Sequence, residues 1–205
     1  HGVINARCGV WSAAAEQLRQ AVALFAYIGP FEQCSTLITL GLADLSLSRV
    51  EEAQESLERA RQLASEHDLP VHLFKATHNL GCAAYVAGNL PEALRLMTLA
   101  DSMPVDVARE RAKIDLGEVL LEAGLVDHAR EALTAALDTA RASGQRVDEG
   151  EILGDLARCA VLDDVSDLAR DLAEQSRSVF DSLGAQARSA AVELLIARLD
   201  VRDGI

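Results

Sequence analysis

The chain has 205 residues, half of them hydrophobic but only 3% aromatic, and a formal net charge of −13. An interior built from Ala, Leu and Val suits closely packed helices better than a sandwich or barrel, where β-branched and aromatic side chains dominate. The acidic balance argues against a nucleic-acid backbone or an anionic membrane as partner, and no signal peptide or apolar run of membrane-spanning length is visible.

His1–Cys8 reads as the last turns of a helix, and Gly9 turns the chain into a helix over Trp11–Tyr27, with Ala14, Leu18 and Ala21 on one face. Gly29-Pro30 ends it, and Phe31–Leu47 comes next, carrying Leu40-Gly41. Ser48-Arg49 leads into Val50–His67, where Ala53, Leu57 and Ala60 repeat the same spacing. Asp68 and Pro70 break there, a proline being suited to a helix start. Val71–Ala87 and Leu90–Asp101 form the next pair, with Leu80-Gly81 in the first and Ala93, Met97 and Ala100 in the second. Pro104 is expected to start a helix to Ala123, containing Leu116-Gly117; Val126–Ala142 then carries Ala129, Leu133 and Ala136. Val147–Leu162 has Leu156-Ala157, Val165–Leu183 has Ala169, Ala173 and Ser176, and Gly184 separates a last helix, Ala185–Val201. No strand-period stretch competes with this all-α reading.

Subtraction exposes a repeat. The first small residue of each second helix is Ala14, Ala53, Ala93, Ala129 and Ala169, spaced by 39, 40, 36 and 40 residues. Five residues before each lies a turn residue (Gly9, Ser48, Gly88, Gly124, Asp164), and twelve before each a small first-helix residue (Gly2, Gly41, Gly81, Gly117, Ala157). Five concordant registers identify an internal helical-hairpin repeat. Glycine and alanine let antiparallel helices approach closely, while larger residues fill the space between.

These residues resemble the tetratricopeptide repeat (TPR), whose pattern runs W-x₂-L-G-x₂-Y and then A-x₃-F on paired helices. Leu80-Gly81 with Ala93-x₃-Met97-x₂-Ala100, and Leu116-Gly117 with Ala129-x₃-Leu133-x₂-Ala136, match it well. The family's Trp position instead holds Leu37, Thr77, Lys113 and Leu153, and its Tyr position Asp44, Ala84, Leu120 and Ala160. The spacing exceeds the usual period of about 34 residues, an excess that helices one turn longer would absorb. The resemblance implies one α-solenoid domain over 1–205, a right-handed superhelix of about ten helices. Its repeats would run over about 1–29 (partial), 30–69, 70–103, 104–144 and 145–184, with a trailing helix at 185–202. In texture, HNLGCAAYVAGNLPEAL followed by DLGEVLLEAGLVDHAREAL is similar to helical arrays that precede a caspase-like CHAT protease domain in actinobacterial proteins. That resemblance implies a bacterial cytosolic regulator controlling a C-terminal effector, whose protease motifs are not in these residues. Similar long-period arrays occur in bacterial signal-transduction ATPases and transcriptional regulators, where they would serve as sensors.

Stacked hairpins curve, and the first helix of each pair lines the concave wall. Residues flanking the Leu-Gly pair on its opposite face then point into a groove: Ile38 and Leu42, followed by Lys75, His78, Asn79, Cys82 and Tyr85. Further along come Arg111, Asp115, Glu118 and Glu122, then Glu151, Asp155 and Arg158. Lys75 with Asn79 resembles the way some family members grip a peptide's terminal carboxylate, but one repeat alone supplies the pair and the nearby acids would repel such a ligand. An acidic groove for an Arg- or Lys-bearing segment is favoured over that clamp, and a solvated charged face is the simpler alternative.

Cys82 lies four residues from His78, close enough for a thiol–imidazole pair, but nothing supplies a third orienting group or loop oxyanion donors. The pair reads better as a buried cysteine beside a surface histidine than as a thiol hydrolase dyad. His67, His72 and His78 lack the spacing of a helical zinc site with further ligands, and no Gly-rich phosphate loop appears. No cofactor, metal or catalytic residue is therefore assigned. The four cysteines (Cys8, Cys34, Cys82, Cys159) are far apart and lie in apolar helical stretches, which suits buried thiols in a reducing cytosol. The last helix is expected to expose Ala191, Leu194, Leu195 and Leu199, a face for an adjoining domain after Ile205 or for an oligomer.

Overall fold

The computed structural model describes residues 10–25, 27–107 and 109–203. The expectations for Gly2, Cys8 and Gly9, and for a domain after Ile205, lie outside them. The described residues form ten helices and no strand. They divide into two compact units, His1–Val107 and Ala108–Ile205. The first unit holds α1 (Trp11–Phe25), α2 (Pro30–Ser46), α3 (Val50–Glu66), α4 (Pro70–Val86) and α5 (Leu90–Asp101). The second holds α6 (Glu110–Glu122), α7 (Val126–Ser143), α8 (Arg146–Leu162), α9 (Ser166–Ser182) and α10 (Gln186–Asp203).

In each unit consecutive helices pack as antiparallel neighbours, and first helices of successive hairpins also touch: α2 with α4 and α6 with α8. That second set of contacts is what makes a stack of hairpins a solenoid, because each hairpin buries its neighbour's open face. The small residues sit where the register placed them. A Cβ added at Gly41 would lie 2.5 Å from Leu57 Cγ, one at Gly81 2.6 Å from Met97 Cγ, and one at Gly117 2.7 Å from Leu133 Cγ. Each glycine therefore receives the large residue of its own second helix, and Leu57, Met97 and Leu133 are almost wholly buried. In α8 and α9 the corresponding pair is Ala157 and Ala173, both fully buried.

Corners are as regular as the helices. Residues with positive φ stand at 48, 68 and 88 in the first unit, and at 124, 144, 164 and 184 in the second, 20 residues apart within each. At Gly88 the backbone closes a Schellman motif: Asn89 N–H donates to Ala84 O at 2.8 Å and Gly88 N–H to Tyr85 O at 2.9 Å. The same two bonds recur at Ser48, where Arg49 N–H reaches Asp44 O, and at Asp164, where Val165 N–H reaches Ala160 O. Helices of 17 residues joined by such corners explain why this period exceeds the usual about 34 residues.

One boundary differs from expectation. Pro104 does not open a helix, which begins instead at Glu110. Val105 N–H donates back to Met103 O at 2.9 Å, closing a three-residue turn around the proline, and β-branched Val105 and Val107 add no helical preference. The first helical bonds form only where Arg109 O accepts from Lys113 N–H at 2.9 Å, with Glu110 in the first turn. This segment lies at the end of the first unit. The first helix likewise stops at Phe25, short of Tyr27.

Candidate functional site

In the first unit, α4 carries five of the proposed wall residues and α2 the other two, Ile38 and Leu42. Lys75 is exposed, while Asn79, Cys82 and Tyr85 are half-buried. His78 is buried, its ring stacked on Phe74 with centroids 6.3 Å apart. The imidazole thus belongs to packing and the thiol is the more open partner, the reverse of the expected buried cysteine and surface histidine. Their Sγ and Nε2 atoms are 3.5 Å apart. On α2, Ile38 is buried and Leu42 is exposed. His72 lies inside as well: Ser35 Oγ meets its Nε2 at 2.8 Å, Phe31 packs edge-on at 4.5 Å, and burial, aided by Lys75, lowers its pKa. Sequence reasoning missed Asp44, which is fully buried at the family's Tyr position and held by Arg19 at 2.6 Å and Arg49 at 3.5 Å.

In the second unit the seven proposed residues on α6 and α8 line one wall, most of them tied by ion pairs. Arg111 pairs with Asp115 at 2.7 Å, with Glu151 across the hairpins, and with Asp148 at 3.6 Å. Arg158 holds Asp155 at 3.1 Å and Glu122 at 2.5 Å. These bonds explain why so many acids tolerate one another: each guanidinium serves two or three carboxylates. Asp155 is strongly perturbed by its surroundings. Burial pushes its carboxyl up to about 6, Arg158 opposes this, and nearby Glu118 and Glu151 add to it.

Beside this wall lies a cavity of about 450 Å³. Its floor is Gly150, Gly154, Ser176 and Phe180; Arg111, Ile114 and Glu118 border it on α6, and Ala191, Leu194, Leu195 and Arg198 on α10. Ser176 Oγ donates to Gly150 O at 2.6 Å, which ties α9 under the wall. Arg188 bonds Glu151 at 2.9 Å and lies over the Phe180 ring at 5.9 Å from its centroid. The α10 contribution escapes a reading by motif, although the register contains it. Ile196-Ala197 stands 40 residues after Leu156-Ala157, so Arg188, Ala191, Leu195 and Arg198 repeat Asp148, Glu151, Asp155 and Arg158. The expected exposed face of α10 holds for Ala191 and Leu194, but Leu195 is half-buried and Leu199 is 2% exposed, packed on Ala160 and Ala169. Cys34 and Cys159 are buried as expected, and burial raises the Cys159 thiol to about 11, which removes its nucleophilic form. No helix among the described residues is long and apolar enough to cross a membrane.

No family model and no curated protein matches this chain. Solved structures do. The signal-transduction ATPase with numerous domains (STAND) protein with a tetratricopeptide repeat sensor, from Pyrococcus horikoshii, aligns over 93% of this chain at 18% identity with a TM-score of 0.78. BtubC (BKLC) from P. vanneervenii aligns over 94% of this chain and 90% of its own at 14% identity, TM-score 0.69. A Rap protein complexed with competence and sporulation factor aligns over 98% of this chain at 15% identity, TM-score 0.67. The chain spans 30% of the length of the STAND protein and 62% of that of the Rap protein. With ten helices, no strand among the described residues and repeat proteins as structural neighbours, the fold is an α-solenoid of tetratricopeptide type.

Proposed function

We propose that this chain is a non-catalytic protein-interaction and regulatory module whose first helices bind a protein or peptide segment. The observation that carries the reading is the wall of α6 and α8, where charged residues from adjacent repeats converge beside a cavity of about 450 Å³. Such cavities, mostly apolar with a few placed polar groups, are where ligands bind. Lys75, Asn79, Cys82 and Tyr85 of α4 are proposed as the corresponding surface of the first unit, with His78 supporting it from inside. Both units are read as stretches of one tetratricopeptide-like repeat region, cytoplasmic and without a cofactor.

The finer role proposed is control of an attached effector, such as a caspase-like CHAT protease, on the strength of the textural resemblance. A STAND-type sensor is the second reading, favoured by the TM-score of 0.78 to the Pyrococcus horikoshii protein. The test is charge reversal on the wall. Glu118→Lys with Glu122→Lys should leave the helical circular-dichroism signal and melting temperature nearly unchanged while weakening peptide capture at least tenfold. Unchanged capture by the folded variant would leave a spacer or oligomerisation element as the answer.

A further inference from the structure

First helices of successive hairpins pack together at α2–α4 and at α6–α8, but α8 and α10 pack less closely. The cavity of about 450 Å³ occupies the space this leaves. Its lining holds four guanidinium groups (Arg111, Arg158, Arg188, Arg198) against three carboxylates (Glu118, Glu151, Asp155). The surplus is one cation, and the ion pairs identify it. Arg111 is held by Asp115 and Glu151, Arg158 by Asp155 and Glu122, and Arg188 by Glu151. Arg198 makes no ion pair or hydrogen bond among the described residues.

The 40-residue register explains why. Arg198 stands 40 residues after Arg158, whose partners are Asp155, three residues before it, and Glu122, 36 residues before it. The same offsets counted back from Arg198 reach Leu195 and Leu162. Leucine therefore stands at both places where Arg158 finds a carboxylate. Leu194 and Leu195 lie one turn from Arg198 on the same helix face, Leu194 55% exposed and Leu195 half-buried. On the α8 side, Gly154 leaves the floor open, since a Cβ added there would meet only Ser176 Oγ, at 3.5 Å. The α10 edge thus presents one uncommitted guanidinium above an apolar hollow. With a net charge of −13, the chain as a whole repels polyanions, so this cation suits a single carboxylate in a segment that is otherwise neutral or basic.

We propose that Arg198 binds an aspartate or glutamate side chain of a partner peptide, while an adjacent large apolar residue of that peptide rests on Leu194 and Leu195 and reaches the floor at Gly154. The inference rests on the proposed peptide-binding function and names the group recognised at the α10 edge. A guanidinium offers a carboxylate two parallel charge-assisted hydrogen bonds, and the apolar neighbour keeps water away from them. Arg111, Arg158 and Arg188 would have to share or surrender an existing partner to do the same. Arg198 surrenders none.

The test uses the whole 205-residue chain as bait for a phage-displayed library of random 12-residue peptides, followed by affinity measurement with the recovered sequences as synthetic peptides with amidated C-termini. Recovered peptides should carry Asp or Glu within four positions of Leu, Ile, Met or Phe. Arg198→Gln should leave the melting temperature unchanged, because the side chain has no partner to lose, and should weaken those peptides about tenfold, as expected for one charge-assisted hydrogen bond. Arg198→Glu should weaken them further, and exchanging the peptide's acid for Lys should restore affinity on that variant. Arg177→Gln on α9, outside the cavity, should change nothing, which separates local recognition from a general loss of positive charge. Peptides without an acid, or peptides that bind the Arg198→Gln and Arg198→Glu chains as tightly as the native one, would overturn the assignment. If such peptides are still lost on charge reversal at Glu118 and Glu122, the peptide-binding function stands without it. Recovery of no peptide at all would overturn both.

Discussion

The hairpins α4–α5 and α8–α9 meet the same packing requirement with different residues. In the first, Gly81 on one helix receives Met97 from the other; in the second, the equivalent positions hold Ala157 and Ala173, and neither side chain is large. The filling has moved two turns along α8, where Gly150 takes the Phe180 ring instead. What recurs is the summed volume between two helices, and the point of closest approach is free to slide along them. The sliding matters for function. Phe180, brought under α8 by Gly150, becomes the floor of the cavity, whereas Met97 in the first unit is sealed in the core.

Truncating the two fillers is the strongest way to break this comparison. Phe180→Ala removes a 3%-exposed ring and should destabilise the chain by about 3–5 kcal/mol, and Met97→Ala by about 2–4 kcal/mol. Urea unfolding gives both values. If the shared requirement is volume, each variant should also unfold its own unit first by hydrogen exchange, with the other unit retaining its protection.

Small residues at fixed offsets make the hairpins legible from sequence alone, because the requirement for close approach acts locally and repeats. Gly41, Gly81 and Gly117 all face the side chains that the register assigns to them. Burial of His78 is not legible. Groove-facing and core-facing positions on α4 are adjacent, and an aromatic pair such as Phe74 and His78, four residues apart, can close over itself. The late start of α6 is hidden for a different reason: Pro104 satisfies the local rule for a helix start, but the valines after it do not continue the pattern. The cavity is hidden because α10 carries Ile196-Ala197 in place of the Leu-Gly marker, and without that marker nothing ties Leu195 to Asp155 in the 40-residue register.

The acidic wall has no counterpart on α4, and pH separates the two. Asp155, pushed up to about 6 from an ordinary 3.8, holds its proton more tightly in the folded state than in the unfolded chain. Its contribution is therefore fully present below about pH 4 and is lost as pH rises through about 6. The difference is on the order of 2–3 kcal/mol at most. The groups around it are Glu118 and Glu122 on α6, Glu151 and Arg158 on α8, and Arg188 and Arg198 on α10, while Ser176 and Phe180 of α9 carry no charge. Asp155→Asn should flatten the fall in stability between about pH 4 and about pH 7 relative to the native chain, and Asn79→Asp on α4 should not reproduce the native slope.

The mildest test asks whether one hairpin can be given the other's solution. Gly81→Ala places a Cβ 2.6 Å from Met97 Cγ and 3.3 Å from the Ala93 carbonyl and the Met97 amide nitrogen. The crowding should cost about 1–3 kcal/mol, offset by the up to about 1 kcal/mol that alanine gains over glycine in a helix. A net loss of about 1 kcal/mol is expected. Adding the same change to Met97→Ala reproduces the Ala157–Ala173 pair. There the Cβ enters space that the truncation opened, and the sign should invert, so that the double variant is more stable than Met97→Ala alone. A double-mutant cycle by urea unfolding should then give a favourable coupling of about 1–2 kcal/mol. A coupling near zero would mean that the α4–α5 spacing relaxes around either residue, and that Gly81 is retained for some reason other than its fit to Met97.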